Sequence, residues 1–309
     1  MPSCAVVTLV VALTSLPALA TEGGATNKIL GADTVLSGVM GPPGSLLSLS
    51  FVTYYHADKT VDGAGDPRPG ISNFDVNVMA VSTRLGYVWP DAKFLGADIE
   101  TRVGIPFYVN ANVSFDVQTP SGPAHRESGA GDSFPGVLIA PAILGWHSDT
   151  VHQMATVEAF LSTREYRTGQ IANVATGFNS LAPAYWVTWF PDPKIEVDGS
   201  VAYLFNGKNH TTGYKSGQEF SMDYAAGYNL TPGWQVGANG YVYQQTTDDT
   251  LNGSVVADGN RGRVFAIGPY VRYREGSKWG VTFKWQIESL AENRPVGNRF
   301  FLHFGIRLW

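Results

Sequence analysis

Apolar and polar residues alternate with a period of two along much of this chain. Over 195–206, Ile195, Val197, Val201, Tyr203 and Phe205 share one parity, and Glu196, Asp198, Ser200 and Asn206 share the other. Over 278–288, Trp279, Val281, Phe283, Trp285 and Ile287 oppose Lys278, Thr282, Lys284, Gln286 and Glu288. Further upstream, Leu95, Ala97, Ile99, Val103 and Ile105 oppose Asp98, Glu100 and Arg102. Successive side chains of a strand point to opposite faces, so each run predicts a strand with one greasy and one polar face. About twelve segments with strand character lie near 45–57, 74–89, 94–117, 136–146, 152–169, 181–190, 194–207, 218–230, 234–248, 262–274, 279–289 and 299–309.

Alternation fits a soluble sandwich too, with the apolar side chains turned inward. The connections separate the two cases. They alternate short and long: Pro90–Lys93, His147–Val151, Pro191–Pro193, Thr231–Gly233 and Glu275–Lys278 are short, and 58–73, 118–135, 170–180, 208–217, 249–261 and 290–298 are long. Outer-membrane barrels have short periplasmic turns and long outer loops, and this series closes with both chain ends on the periplasmic side. Tryptophan agrees. Trp89, Trp146, Trp189, Trp234, Trp279 and Trp309 all fall at the short-turn end, where indoles mark a membrane interface. The last segment places Phe300, Leu302, Phe304, Ile306 and Leu308 on one face, while Trp309 falls in phase with His303 and Arg307, which predicts a bulge or a rim position. Pro106, Pro141, Pro183 and Pro269 lie inside predicted strands. A closed barrel has no free edge to host them, so kinks or breaks in pairing are expected there. The fold class is therefore all-β, an antiparallel transmembrane β-barrel of about twelve strands.

The first residues sharpen the picture. Ala5–Leu16 is almost wholly apolar and Ala18-Leu19-Ala20 suits a cleavage site, so residues 1–20 read as a signal peptide lacking a basic start. Cys4, the only cysteine, lies within it. Residues 21–44 contain Gly and Pro but no clear strand, and we expect them to enter the barrel as a plug; 45–309 form the barrel. Beyond the leader no apolar run is long enough for a membrane helix. Charged residues are only 15% of the chain and the net charge is −5, which gives no broad basic surface for nucleic acid.

If the apolar faces meet lipid, the opposite faces line a lumen. Acids come from Asp98, Glu100, Glu158, Glu196, Asp198 and Asp223; bases come from Arg263, Arg272, Arg274, Lys284 and Arg307, with Arg102 and Arg164 among the acids. They either set a transverse field across a pore or bridge each other and fill it. Tyr241, Tyr243, Tyr54 and Trp186 are further inward candidates. The expected solute path is Asp98, Glu100, Arg102, Glu158, Glu196, Asp198, Asp223, Tyr241, Tyr243, Arg263, Arg272 and Lys284. No phosphate loop, nucleophile elbow or zinc helix motif is present, and the Asp- and Asn-rich loops 58–66 and 248–260 do not fit a calcium hand. His147 and His152 flank a short turn and read as solvated turn residues. No catalytic residue, cofactor or metal is expected.

Gly41-Pro42-Pro43-Gly44, Tyr54-Tyr55, Asp62-Gly63-Ala64-Gly65, Arg84-Leu85-Gly86-Tyr87, Gly96-Ala97-Asp98 and Val103-Gly104-Ile105-Pro106 follow in an order that resembles the meta-pathway phenol-degradation family of the SphA type. The resemblance extends from about Gly38 to Trp309. It implies an outer-membrane channel passing small hydrophobic or aromatic compounds into a catabolic pathway. The alternatives are a small porin for polar or charged solutes, a barrel hydrolase, and a soluble or surface-attached β-protein. Expected partners are outer-membrane lipid, such solutes and the barrel-assembly machinery, with no nucleic acid.

Overall fold

The computed structural model describes residues 22–309, and the expected signal peptide lies outside the described residues. The strands, in chain order, are β1 (Leu46–Thr60), β2 (Ile71–Phe94), β3 (Ala97–Thr119), β4 (Gly122–Asp132), β5 (Gly136–His147), β6 (Val151–Ser162), β7 (Ser180–Asp192), β8 (Ile195–Asn206), β9 (Tyr214–Lys215), β10 (Glu219–Thr231), β11 (Trp234–Gln245), β12 (Thr250–Leu251), β13 (Ser254–Val255), β14 (Arg263–Glu275), β15 (Trp279–Glu292) and β16 (Pro295–Arg307). Twelve of them close into one antiparallel barrel in the order β2-β1-β16-β15-β14-β11-β10-β8-β7-β6-β5-β3, sealed by β2–β3 pairing. β4 pairs only with the outer part of β3, and β9, β12 and β13 make a small sheet among the outer loops.

Several connections differ from the sequence expectation. The first short turn is Leu95–Gly96, not Pro90–Lys93. Both residues have positive φ, 51° and 77°, the mirror-image turn that matches strand twist. Pro90 instead lies in a register shift between Val88 and Lys93. The expected long loop at 290–298 is a tight turn at Asn293–Arg294, because β15 and β16 continue to meet it. The stretch 118–135 contains a strand, β4, that sequence reading left as loop.

The four strand prolines behave in two ways. At Pro183 and Pro269 the register continues across the missing N–H. At Pro141 the ladder shifts against both neighbours, and side chains replace it: Thr101 Oγ1 donates to Pro141 O at 2.8 Å and Thr156 Oγ1 to Ala142 O at 2.7 Å. At Pro106 one extra residue enters β3, since Val81 pairs with Tyr108 and Ser82 with Pro106. A bulge moves every later side chain to the other face. Glu100, Arg102 and Gly104 turn inward below it, whereas Val113 and Phe115 are the buried positions above it.

The outer surface is apolar at mid-height. Val201, Phe205, Phe283, Trp285, Ile287, Leu302 and Phe304 are all exposed, while Glu196, Asp198, Lys284 and Gln286 between them are buried. Trp89, Trp189, Trp234, Trp279 and Trp309 are exposed at the short-turn rim, where Trp234, Tyr273, Trp279 and Phe304 form a chain of ring contacts. Trp309 lies past the end of β16 at that rim, and its carbonyl accepts from Leu46 N at 3.2 Å.

One seam interrupts the wall. β5 leaves β3 above the Gly104–Leu138 pair, and β4 joins β3 only from Val109–Asp132. Ile105–Tyr108 therefore have no strand partner on that side. The Phe107 and Phe134 rings pack edge to face across it at 5.9 Å, and Phe134 N donates to Pro106 O at 3.1 Å.

Candidate functional site

Alternation sends one parity of each strand into the lumen. Of the expected path residues, Glu100, Glu158, Glu196, Asp198, Asp223, Tyr241, Tyr243, Arg272 and Lys284 are buried inside, and Arg102 nearly so. Asp98 is at the periplasmic rim, paired with Lys93 at 2.9 Å. Arg263 is a correction: it opens β14 on the parity of exposed Ile267, opposite to buried Val264 and Ala266, and pairs at the outer rim with Glu292. Tyr54 also faces outward, because Phe51, Thr53 and Tyr55 carry the inward parity of β1.

Part of the polar wall is paired with itself. Arg272 grips Glu196 with two bonds of 2.7 Å, and Gln235 adds a third at 3.1 Å. Arg102 Nε meets Glu100 at 2.7 Å. Charge-assisted bidentate pairs of this kind are strong and fix orientation. Asp223, Asp198 and Lys284 find partners in residues 22–45, which pass through the lumen, while Glu158 Oε1 is buried with no hydrogen-bond partner among the described residues. Asp223 accepts from Gly31 N at 3.0 Å and Asp33 N at 2.9 Å. Asp198 accepts from Ser37 N at 3.1 Å and Thr188 Oγ1 at 2.5 Å. Lys284 donates to the carbonyls of Gly31 and Ala32, each at 2.9 Å, and to Thr34 Oγ1 at 3.0 Å. Lys28 lies between Asp33 at 3.2 Å and Asp223 at 3.5 Å, and Arg84 binds the other oxygen of Asp33. Higher up, Thr26 donates to Glu219 at 2.5 Å and Asn27 to Ser180 at 2.8 Å. Gly31 has φ +75°, and a Cβ there would sit 2.7 Å from the Gln286 amide carbon, so the close approach to β15 requires glycine.

Beside this filled region lies a cavity of about 700 Å³ in the outer half of the barrel. Its wall is the inward parity of β2 (Phe74, Val76, Val78, Ala80) and the upper, bulge-shifted parity of β3 (Val109, Ala111, Val113, Phe115), continued by Val137 and Leu138 next to the seam. The loop 163–179 closes over it, with Ile171 and Ala172 packed on Phe74 and Phe115. None of the twelve expected path residues lines it. Among its lining residues are Arg84, Arg294 and Arg299, which sequence reading did not single out as lumen residues. Arg294 and Arg299 fell in or beside a presumed loop, and Arg84 follows Ser82 and Thr83, which blur the alternation. Continuing the parity of buried Phe301 and His303 back through Arg299 and Gly297 was the available signal.

In the outer loops, Asp249 accepts from Gly217 N and Gln245 Nε2, each at 2.7 Å, and from Tyr214 OH at 2.5 Å. Burial still pushes its carboxyl above the usual value, against those donors.

A closed sheet with a lipid-facing apolar belt, an aromatic rim and a charged, packed interior is a transmembrane β-barrel of the outer membrane. Among the described residues no helix is long and apolar enough to cross a membrane; strands make the crossing. Residues 57–304 match the family described as putative MetA-pathway of phenol degradation, and the chain belongs to that family. Among solved structures it is similar to the COG4313 outer membrane channel from Pseudomonas putida F1, at 12% identity, TM-score 0.67, over 88% of this chain and 98% of that one. The transport unit of the autotransporter AIDA-I from Escherichia coli is more distant, at 9% identity, TM-score 0.46, over 88% and 94%. No curated protein sequence matches the chain.

Proposed function

We propose that this protein is a non-enzymatic outer-membrane channel for passive entry of small hydrophobic or aromatic compounds that feed a catabolic pathway. The observation carrying the reading is the apolar cavity of about 700 Å³ beside an interrupted wall, above a lumen filled by the chain's own residues 22–45. A hydrophobic solute entering from outside meets an apolar wall, and its direct way down is occupied by hydrogen-bonded peptide. Its remaining direction is the seam between Pro106 and Pro135, which, among the described residues, only one backbone hydrogen bond and the Phe107 and Phe134 rings close. In this reading residues 22–45 act as a plug, and the charged lumen residues hold it. The family's description and the naming of a similar barrel as an outer membrane channel fit this assignment.

A polar-solute porin is favoured by a different observation, the charged lumen itself. For that function Asp98, Glu100, Arg102, Glu158, Glu196, Asp198, Asp223, Tyr241, Tyr243, Arg272 and Lys284 would line the path once the plug left.

The seam decides between them. The double variant Phe107→Cys with Phe134→Cys, joined by a short thiol cross-linker, closes it. Uptake is measured in whole cells, whose lipopolysaccharide leaflet keeps background entry of apolar solutes low. Radiolabelled toluene uptake should fall to the channel-free level on cross-linking and return when a cleavable linker is cut. Unchanged toluene uptake, or rapid entry of a sugar of similar size, would overturn the proposal.

A further inference from the structure

The cavity is apolar on one side and cationic on another. Of its charged lining residues, Lys28, Arg68, Arg84, Arg294 and Arg299 are cations, and Glu22 is the acid. Lys28 is committed to Asp33 of the plug and Asp223 of β10, and Arg84 to Asp33. Arg294 and Arg299 are different. Arg294 is 8% exposed, and among the described residues neither guanidinium has an ion-pair partner within 4.0 Å. The Nε of each is buried with no hydrogen-bond partner. Arg299 donates once, weakly, to Leu30 O at 3.3 Å.

Both are instead set against rings. Arg294 lies 4.7 Å from the Tyr243 centroid, and Arg299 lies 5.0 Å from Tyr55 and 5.5 Å from Tyr241. Ring faces hold a cation in place without neutralising it. The nearby carboxylates are already engaged: Glu288 by Tyr55 OH at 2.8 Å, by Gly297 N at 2.9 Å and by Tyr241 OH, and Glu219 by Thr26 Oγ1 at 2.5 Å and Asn206 Nδ2 at 2.8 Å. A buried guanidinium with unmet donors is costly unless an anion completes it. The opposite wall supplies no such anion. It offers Phe74 and Phe115, stacked at 6.4 Å, with valines and alanines around them.

We infer that this cavity binds an amphipathic monoanion, a carboxylate on a small apolar or aromatic body, with the carboxylate at Arg294 and Arg299 and the body on the β2–β3 wall. The inference rests on the uptake reading, because it names the substrate class of the same cavity. Two guanidinium forks in one pocket suit the two oxygens of a carboxylate. No bond is made or broken, and the solute leaves unchanged.

Benzoate and its neutral isostere benzamide separate the two halves of the site. Binding is titrated calorimetrically with the full purified chain in detergent. The wild type should bind benzoate at least about tenfold more tightly than benzamide, the worth of one charge-assisted contact. Arg294→Met and Arg299→Met should each lose that preference while keeping benzamide affinity, since the apolar wall is untouched. Arg294→Lys should keep part of it. Retained heat-modifiable migration on gels identifies variants that still fold. Equal affinity for the two ligands in the wild type, or an unchanged preference in both Met variants, would overturn the site. Whole-cell toluene uptake is the separate control. Uptake without a carboxylate preference defeats this inference alone, and benzoate preference without toluene uptake defeats the channel reading alone.

Discussion

The inner surface of this barrel is of two kinds. Along β7, β8, β10 and β15 the inward parity is polar, and the chain's own residues 22–45 bond to it through Thr188, Asp198, Asp223 and Lys284. Along the outer halves of β2 and β3 the inward parity is apolar, and it faces a cavity. On the lipid-embedded stretch greasy residues point out. Above it the rule reverses, so Phe74, Val76 and Val78 point in while Asp75 and Asn77 point out, the latter bonded by Tyr54 OH at 2.6 Å. The difference teaches that parity reports the surrounding solvent. Hydrocarbon outside demands one phase and water outside demands the other, and β3 changes phase through the extra residue at its proline bulge.

The polar wall is the more fragile of the two. Arg272→Met leaves Glu196 buried without its cation, and urea unfolding in lipid vesicles should show a loss of about 3–5 kcal/mol. The double variant Arg272→Met with Glu196→Gln should recover most of that, because the cost is the orphaned charge. A single variant no weaker than the wild type would mean the pair is already hydrated. A smaller effect is expected on the apolar side. Inserting one alanine after Tyr108 shifts the phase of the strand above the bulge and turns Asn110 and Asn112 inward in place of Val113 and Phe115. Limited proteolysis should then cut within 109–132, while the barrel's unfolding midpoint moves by less than about 1 kcal/mol, the scale of change away from the closed sheet's packed features. An uncut hairpin would show that the phase of upper β3 does not hold it in place.

Much of the barrel was legible in the sequence. The alternation in β8 and β15, the spacing of short and long connections and the tryptophan rim all follow from how strands meet lipid, and they gave the closed antiparallel sheet and its outward greasy face. The early turn was misplaced because Pro90-Asp91 has turn chemistry yet lies in a register shift, while Leu95–Gly96 forms the tight turn through a leucine at positive φ. β4 was hidden because it pairs on one edge and stands outside the membrane, where Gly, His, Arg and Glu cost nothing. The cavity was hidden for a related reason. Its cations lie in and just after a turn that reads as a loop, Arg294 in the turn and Arg299 in β16, and its apolar wall exists only after the bulge at Pro106 has changed the parity of β3. Local pattern gives each strand its faces, and long-range register decides which of those faces meet.

Single-channel conductance in planar bilayers tests most directly whether the chain fills its own lumen. The wild type should pass little current, and deletion of residues 24–40, with gel migration confirming a folded barrel, should raise conductance to that of an open twelve-stranded pore. Equal conductance in the two proteins, or a wide-open wild type, would contradict the account.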